Sequence, residues 1–306
     1  MLTFGPVPSR RLGKSLGINN LPHKICSYSC IYCQLGRTID KTIERKSYFK
    51  PEEIRREVEK KIEEFKEIDF LTFVPNGEPT LDANLGKEIQ QLKDFSMKIA
   101  VITNGSLLWR EDVRKDLMEA DWISIKIDSV DRKVWSTINR PHPSLNLEKI
   151  LDGFLEFSSN FSGFLATETM LLDGINDSKF GKLVEFLEKL SPNKSYISVP
   201  IRPPAEDWVK PAREDKLNQL YQEIKERGID VELLIHYEGR DFGISEDIGE
   251  SILSIASVHP LREDYLLDLL AKAKADRHVL IELIEEGKLS EVVYRGMKFY
   301  VKRMKR

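Results

Sequence analysis

The sequence predicts an α/β protein: a partial (β/α)6-type parallel barrel followed by a small C-terminal module. Three observations predict it. From about residue 50 to 235, short and nearly continuous apolar runs alternate with amphipathic stretches at helical spacing, the pattern of a parallel sheet covered by helices. The turn-forming tetrads NGEP, TNGS, DSVD and DGIN follow successive runs, at the strand ends where such folds gather their chemistry. After the Gly- and acid-rich stretch "EGRDFGISEDIGE" the pattern changes to short helices and a hairpin.

In chain order, "PEEIRREVEKKIEEF" places Ile54, Val58, Ile62 and Phe65 on one helical face. "DFLTFV" reads as a buried strand, and a helix around 83–94 leads to the strand "KIAVIT". A helix around 110–118 precedes "WISIKI", and helices around 131–138 and 146–158 precede "GFLATETMLL". Helices near 178–190 and 212–227 lead to "SYISVP" and "IDVELLI". Beyond the boundary, helical patterns cover 248–257, 261–273 and 276–286, with Gly287 where a helix C′ glycine belongs. "SEVVYRGMKFYVKRM" alternates around Arg295-Gly296, a candidate hairpin turn. The expected division is a barrel over 1–240 and a winged helix-turn-helix-like module over 241–306.

Charged residues make up 32% of the chain and the net charge is −3, which excludes disorder and polyanion binding by bulk charge. No apolar run nears the ~18 residues of a membrane span, and the N-terminus lacks a signal-peptide core. A cytoplasmic protein is expected, where thiols stay reduced. Basic residues crowd the end of the chain (Arg295, Lys298, Lys302, Arg303, Lys305, Arg306), as a solvated terminus or a phosphate contact.

The three cysteines of the chain, Cys26, Cys30 and Cys33, all fall in "CSYSCIYC". A tight, odd-numbered set in a reducing compartment reads as a metal or cluster site. Zinc would need a fourth ligand, for which His23 is available. A [4Fe–4S] cluster on three thiolates would instead leave one iron open to an external ligand.

"CSYSCIYC" resembles the C-x3-C-x-aromatic-C signature of radical S-adenosylmethionine enzymes. The resemblance implies a [4Fe–4S] cluster on Cys26, Cys30 and Cys33 whose open iron is chelated by S-adenosylmethionine, with Tyr32 along the adenine. One-electron cleavage of the sulfonium then yields a 5′-deoxyadenosyl radical that abstracts hydrogen from substrate. "NGEPT" resembles the segment that contacts the methionyl amino group, which gives roles to Asn76, Gly77 and Glu78. "TNG" with Asn104 and Gly105 recurs after the third strand of family members. "KID" resembles the segment at the ribose and carboxylate, where Lys126 would neutralise the carboxylate and Asp128 accept from ribose hydroxyls. Asn176 in "MLLDGIND" falls in the adenine region.

"FGPVPSRRLGKSLGIN", "QLG" and "VPIRPPAEDWV" resemble a poorly characterised branch of Fe–S oxidoreductases related to the tRNA wybutosine-synthesis enzymes. Those enzymes carry additional cysteines and a longer cysteine spacing, both missing here, so their reaction does not transfer. With every cysteine committed to one cluster, auxiliary-cluster sulfur insertion and cysteine-borne methyl transfer are excluded.

Substrate candidates are Arg10, Arg11, Lys14, Arg140, His142, Arg202, His236 and Arg240, since guanidinium groups bind carboxylates and phosphates in a bidentate manner. His259 and His278 read as surface or packing residues. The C-terminal module suggests a macromolecular substrate, an RNA nucleotide or a peptide or protein. Glu282, Glu285 and Glu286 on its expected recognition helix disfavour phosphates. A flavodoxin- or ferredoxin-type donor would supply the electron. The alternatives are a non-enzymatic Fe–S redox sensor that binds DNA, and an activase of a glycyl-radical enzyme.

Overall fold

The computed structural model describes residues 2–235, 247–257 and 260–303. Its elements run β1 (Thr3–Ser9), β2 (Gly13–Ile18), β3 (Ile25–Cys26), β4 (Asp40–Lys41), α1 (Pro51–Glu64), β5 (Phe70–Phe73), α2 (Leu85–Leu92), β6 (Lys98–Thr103), α3 (Glu111–Leu117) and β7 (Trp122–Lys126). There follow α4 (Arg132–Asn139), α5 (Leu147–Asn160), β8 (Phe164–Met170), α6 (Gly181–Leu190), β9 (Lys194–Ser198), α7 (Glu214–Glu226) and β10 (Val231–Leu234). The C-terminal elements are α8 (Ile248–Ala256), β11 (Leu261–Arg262), α9 (Glu263–Lys272), α10 (His278–Glu285), β12 (Leu289–Tyr294) and β13 (Met297–Lys302).

The main sheet has the order β1-β2-β5-β6-β7-β8-β9-β10. Every pair in it is parallel except β1 with β2. It is a curled parallel half-barrel, and each strand expected between residues 50 and 235 is part of it. The parallel strands number seven, however, not six, because β2 opens the series. "GKSLGI" lacks an apolar run because one face carries a buried hydroxyl pair, Ser15 Oγ to Thr72 Oγ1 at 2.7 Å. On the same strand Gly17 makes room for a ring: a Cβ there would meet Phe4 at 2.0 Å.

Both faces of the sheet are buried. Outward residues (Leu71, Phe73, Ile99, Val101, Ile123, Ile125) join Ile54, Val58, Ile89 and Phe157 of the helices in the main core. Inward residues alternate with these by strand period. They form an apolar floor of Leu12, Ala100, Trp122, Ala166, Tyr196 and Leu234. Further along the same inward rows come Ser124 and Lys126 on β7, Glu168 on β8 and Ser198 on β9. The bore is thus apolar at its base and polar toward the carboxyl ends.

The C-terminal helices pack in a second cluster around Ile252, Leu266, Leu269, Leu283 and Tyr300. Their three-stranded sheet has the order β11-β13-β12, all antiparallel. This unit rests on the half-barrel: Val7 packs against its core, and Tyr294 Oη donates to Pro200 O at 3.1 Å.

Candidate active site

The cysteines occupy the long connection after β2, and backbone bonds from four segments shape it. Lys24 N–H donates to Asn76 O (2.7 Å) and Glu78 N–H to Ile25 O (3.0 Å). Ile31 N–H donates to Ile138 O (2.9 Å), Glu206 N–H to Ile31 O (3.1 Å), and His142 N–H to Ser27 O (2.8 Å). Gly77 permits the first of these approaches, since a Cβ there would lie 1.9 Å from Ile25 O.

All three thiols are free and partly buried. Each sulfur accepts one side-chain N–H: Cys26 from Asn104 Nδ2 (3.6 Å), Cys30 from Asn139 Nδ2 (3.4 Å), Cys33 from Lys24 Nζ (3.6 Å). Burial pushes the Cys30 thiol up to about 12 and Cys26 higher still, with Asp128 and Glu78 respectively adding to the effect. Sulfurs so placed become thiolates only against a strong positive charge, as a metal centre provides. Among the described residues, no three His, Cys, Asp or Glu side chains converge as a single-ion site.

The expected cofactor residues surround this loop. Asn76 Oδ1 is buried with no donor, an acceptor suited to an ammonium. Glu78 is 1% exposed. Its Oε1 accepts from Thr80 (2.6 Å) and Thr103 (2.5 Å) hydroxyls, and its Oε2 from Asn104 N–H (2.7 Å). Burial nevertheless raises its carboxyl above the ordinary range. Glu78 therefore braces the turns that carry Asn76 and Asn104. Gly105 takes φ +70° with Phe154 and Ile125 packed where a side chain would project.

Asp128 ties three segments together: Oδ2 accepts from Tyr32 Oη (2.5 Å) and Asn139 Nδ2 (2.7 Å), Oδ1 from Met170 N–H (2.9 Å). Asn176 Nδ2 donates to Asp128 O (2.8 Å), so it fixes the β7 end from behind. Lys126 Nζ lies 5.0 Å from the centre of the Tyr32 ring and donates to Glu168 Oε1 at 3.0 Å. Glu168 also accepts from Arg11 (2.5 Å) and Ser198 (2.8 Å). Burial opposes the charge on both Glu168 and Lys126, but the pairing outweighs it. The carboxyl is held well below its usual range, and the amine lies above its own.

Beside these groups is a cavity of about 330 Å³ whose wall includes Tyr32, Cys33, Lys126, Glu168, Arg10 and Arg202. A smaller one of about 170 Å³ shares Arg10, Arg11 and Gln34 with it and reaches Asn76. Arg10 also donates to Leu234 O (2.5 Å) and Arg202 to Gln34 Oε1 (2.9 Å).

The other expected substrate residues lie elsewhere. Lys14 pairs with Glu67 on an exposed surface, because it starts β2 at the end of the barrel away from the cysteines. Arg140 ends α4 in a left-handed turn and, with Arg37, grips Glu206 outside the cavity. His142 accepts from Ser144 N–H, also off the cavity wall. His278 is exposed beside Glu282. His236, Arg240 and His259, with Lys305 and Arg306, lie outside the described residues. Sequence reasoning passed over Lys24, Asn139, Glu168 and Ser198. Only Glu168 left a trace, as a lone acid inside the apolar strand "FLATETM".

The sequence pattern of the radical SAM superfamily matches residues 20–187. The chain belongs to the radical SAM superfamily. It is 49% identical to the UPF0026 protein MJ1312 of Methanocaldococcus jannaschii, across 99% of this chain and 97% of that one. Among solved structures, TYW1 with a lysine–pyruvate adduct bound superposes with a TM-score of 0.54 at 21% identity, over 71% of this chain and 75% of TYW1. Streptococcus suis SuiB bound to precursor peptide SuiA gives 0.55 at 12% identity, over 71% and 47%. This radical SAM protein is thus an enzyme, and its cofactors are a [4Fe–4S] cluster and S-adenosylmethionine. Its donor set fits them: three partly buried sulfurs, each with a hydrogen bond, and the buried Asn76 acceptor without a donor. Among the described residues no helix is long and apolar enough to cross a membrane.

Proposed function

We propose that Cys26, Cys30 and Cys33 hold the [4Fe–4S] cluster, that S-adenosylmethionine lies between it and the β6–β8 strand ends, and that a macromolecular substrate presents its reacting group in the large cavity. The observation that carries this reading is the shared wall: Cys33 and Tyr32 border the same cavity as Arg10, Arg202, Lys126 and Glu168. When bound, cluster and cofactor supply one-electron cleavage of the sulfonium to a 5′-deoxyadenosyl radical. The chain's own residues orient and shield. Asn76 Oδ1 accepts from the methionyl ammonium, with Gly77 allowing the approach and Glu78 holding the turn. Lys126 draws the carboxylate. Asp128 accepts from ribose hydroxyls in exchange with Tyr32, and Tyr32 and Asn176 shape the adenine side. Asn104 and Asn139 donate to the thiolates.

A cluster spreads its ligands over several irons, which agrees with cysteines that do not converge as a single-ion site. That weighs against zinc with His23.

The macromolecular reading rests on the C-terminal unit, which we assign to 241–306 as a winged-helix-like module beside a barrel of 1–240. The order helix, strand, helix, helix, hairpin supports that assignment. Its hairpin touches Pro200, itself on the cavity wall. Glu282, Glu285 and Glu286 are exposed along α10, which favours a peptide or protein over RNA. A soluble flavodoxin- or ferredoxin-type protein is the proposed electron donor. The DNA-binding redox sensor gains no support, since it has no use for the cavity.

The test is anaerobic. Protein reconstituted with iron and sulfide receives S-adenosylmethionine and dithionite, and 5′-deoxyadenosine is assayed with and without protein or RNA fractions of a cell extract. Formation by wild type but not by Cys30→Ala, increased by the protein fraction, is expected. A loaded protein that forms none under any condition refutes the reading.

A further inference from the structure

Among the described residues, one buried charge in the cysteine loop has no carboxylate opposite it. Lys24 is 4% exposed, and its Nζ donates to Gly36 O (2.5 Å) and Cys33 Sγ (3.6 Å). Among the described residues no carboxylate pairs with it. His23 beside it is kept neutral by burial and by Lys24 itself, so it adds no second positive charge. A buried ammonium without a counter-charge is strongly disfavoured.

The backbone adds a second observation. Lys24 takes φ +61°, a left-handed conformation that side-chain-bearing residues other than Asn and Asp rarely adopt. Glycine would fit there without strain, yet the position carries a long cationic side chain directed at a cysteine. Strain retained at such a place points to a use for the side chain.

The cluster proposed above, on which this inference rests, supplies the missing charge. Three thiolates outweigh the charge of an oxidised cluster core, and reduction adds one further electron. Cys26 and Cys30 receive neutral amide donors, while Cys33 receives a charged one, the stronger kind. We propose that Lys24 is the fixed counter-cation of the [4Fe–4S] cluster and makes it easier to reduce. It is a positioning residue that acts through Cys33, and the electron it favours comes from the external donor or from dithionite.

The experiment is an EPR-monitored redox titration of anaerobically reconstituted protein, with iron content measured alongside. Lys24→Asn removes the charge but tolerates the left-handed backbone, whereas Lys24→Arg keeps the charge. The expected result for Lys24→Asn is at least a tenfold smaller reduced-to-oxidised ratio at a fixed potential, a fall of about 59 mV or more for a one-electron couple. Lys24→Arg should stay close to wild type. Iron loss by Lys24→Asn but not Lys24→Arg gives the same support. An unchanged midpoint in fully loaded Lys24→Asn overturns the inference, as does an equal shift or equal iron loss in both variants. A wild-type protein without a [4Fe–4S] signal overturns the site assignment itself, and this inference with it.

Discussion

Replacing Gly77 by alanine would place a methyl carbon 1.9 Å from the Ile25 carbonyl oxygen. Carbon–oxygen contacts settle near 3.3 Å, so the NGE turn has to retreat by roughly 1.4 Å. That movement separates Glu78 N–H from Ile25 O, and Lys24 N–H from Asn76 O, now 3.0 and 2.7 Å apart. Each bond is worth ~1 kcal/mol net, and a buried group left unsatisfied costs ~1–3 kcal/mol. The expected loss is therefore about 2–4 kcal/mol, read from anaerobic urea unfolding of the iron-free protein. Because Asn104 reaches Cys26 from a turn braced by Glu78, iron content after reconstitution should fall as well. Gly181→Ala is the control, since it lies in α6 with open space around it. Its effect should be neutral, or stabilising by up to ~1 kcal/mol. A Gly77→Ala protein with wild-type unfolding midpoint and full iron would refute this account of how the two loops dock.

Glu168→Gln leaves Arg11 and Lys126 buried beside a neutral amide, and unfolding should record a loss of about 3 kcal/mol or more; a loss under ~1 kcal/mol contradicts the ion-pair assignment. Because the Glu168 carboxyl is held below its unfolded value, its contribution is present above the unfolded pKa and disappears only as pH falls through the lowered one. The stability gap between wild type and Glu168→Gln should accordingly be constant from pH 6 to 8 and close only in strong acid. The opposite sign is expected at Glu88, buried against Asp82, where burial first and Asp82 second push its carboxyl upward. That contribution is complete at low pH and is lost as pH rises through the raised value. Glu88→Gln should gain on wild type between pH 6 and 9 in urea midpoints, and parallel curves would contradict a raised Glu88 carboxyl.

Sequence pattern revealed the six strands whose apolar runs are nearly continuous, and in the main sheet it missed β1 and β2. The reason is physical: in β2 the burial signal is carried by Ser15 against Thr72 and by a glycine beneath Phe4, neither of which looks apolar. Cys26, Cys30 and Cys33 were legible because reactive residues stand close together in the chain. Asn104, Lys126 and Asp128 were legible because they stand at or just past strand ends. Lys24, Asn139 and Glu168 are ordinary residues made special only by partners, and Asn139 meets Cys30 across 109 positions. Arg11 was chosen as a rim residue for the substrate. The fold places it on both cavity walls and also pairs it with Glu168, with Trp122 and Tyr196 rings each 5.7 Å away.

Among the described residues, the half-barrel sheet ends at β1 on one side and β10 on the other, with no ladder joining them. Across that seam Arg10 donates to Leu234 O, and Leu12 shares the apolar floor with Leu234. Val7 on β1 packs against the core of the C-terminal unit and also lines the smaller cavity. A change inside that unit therefore reaches the cavity wall through Val7, by a route that does not pass through the cysteine loop.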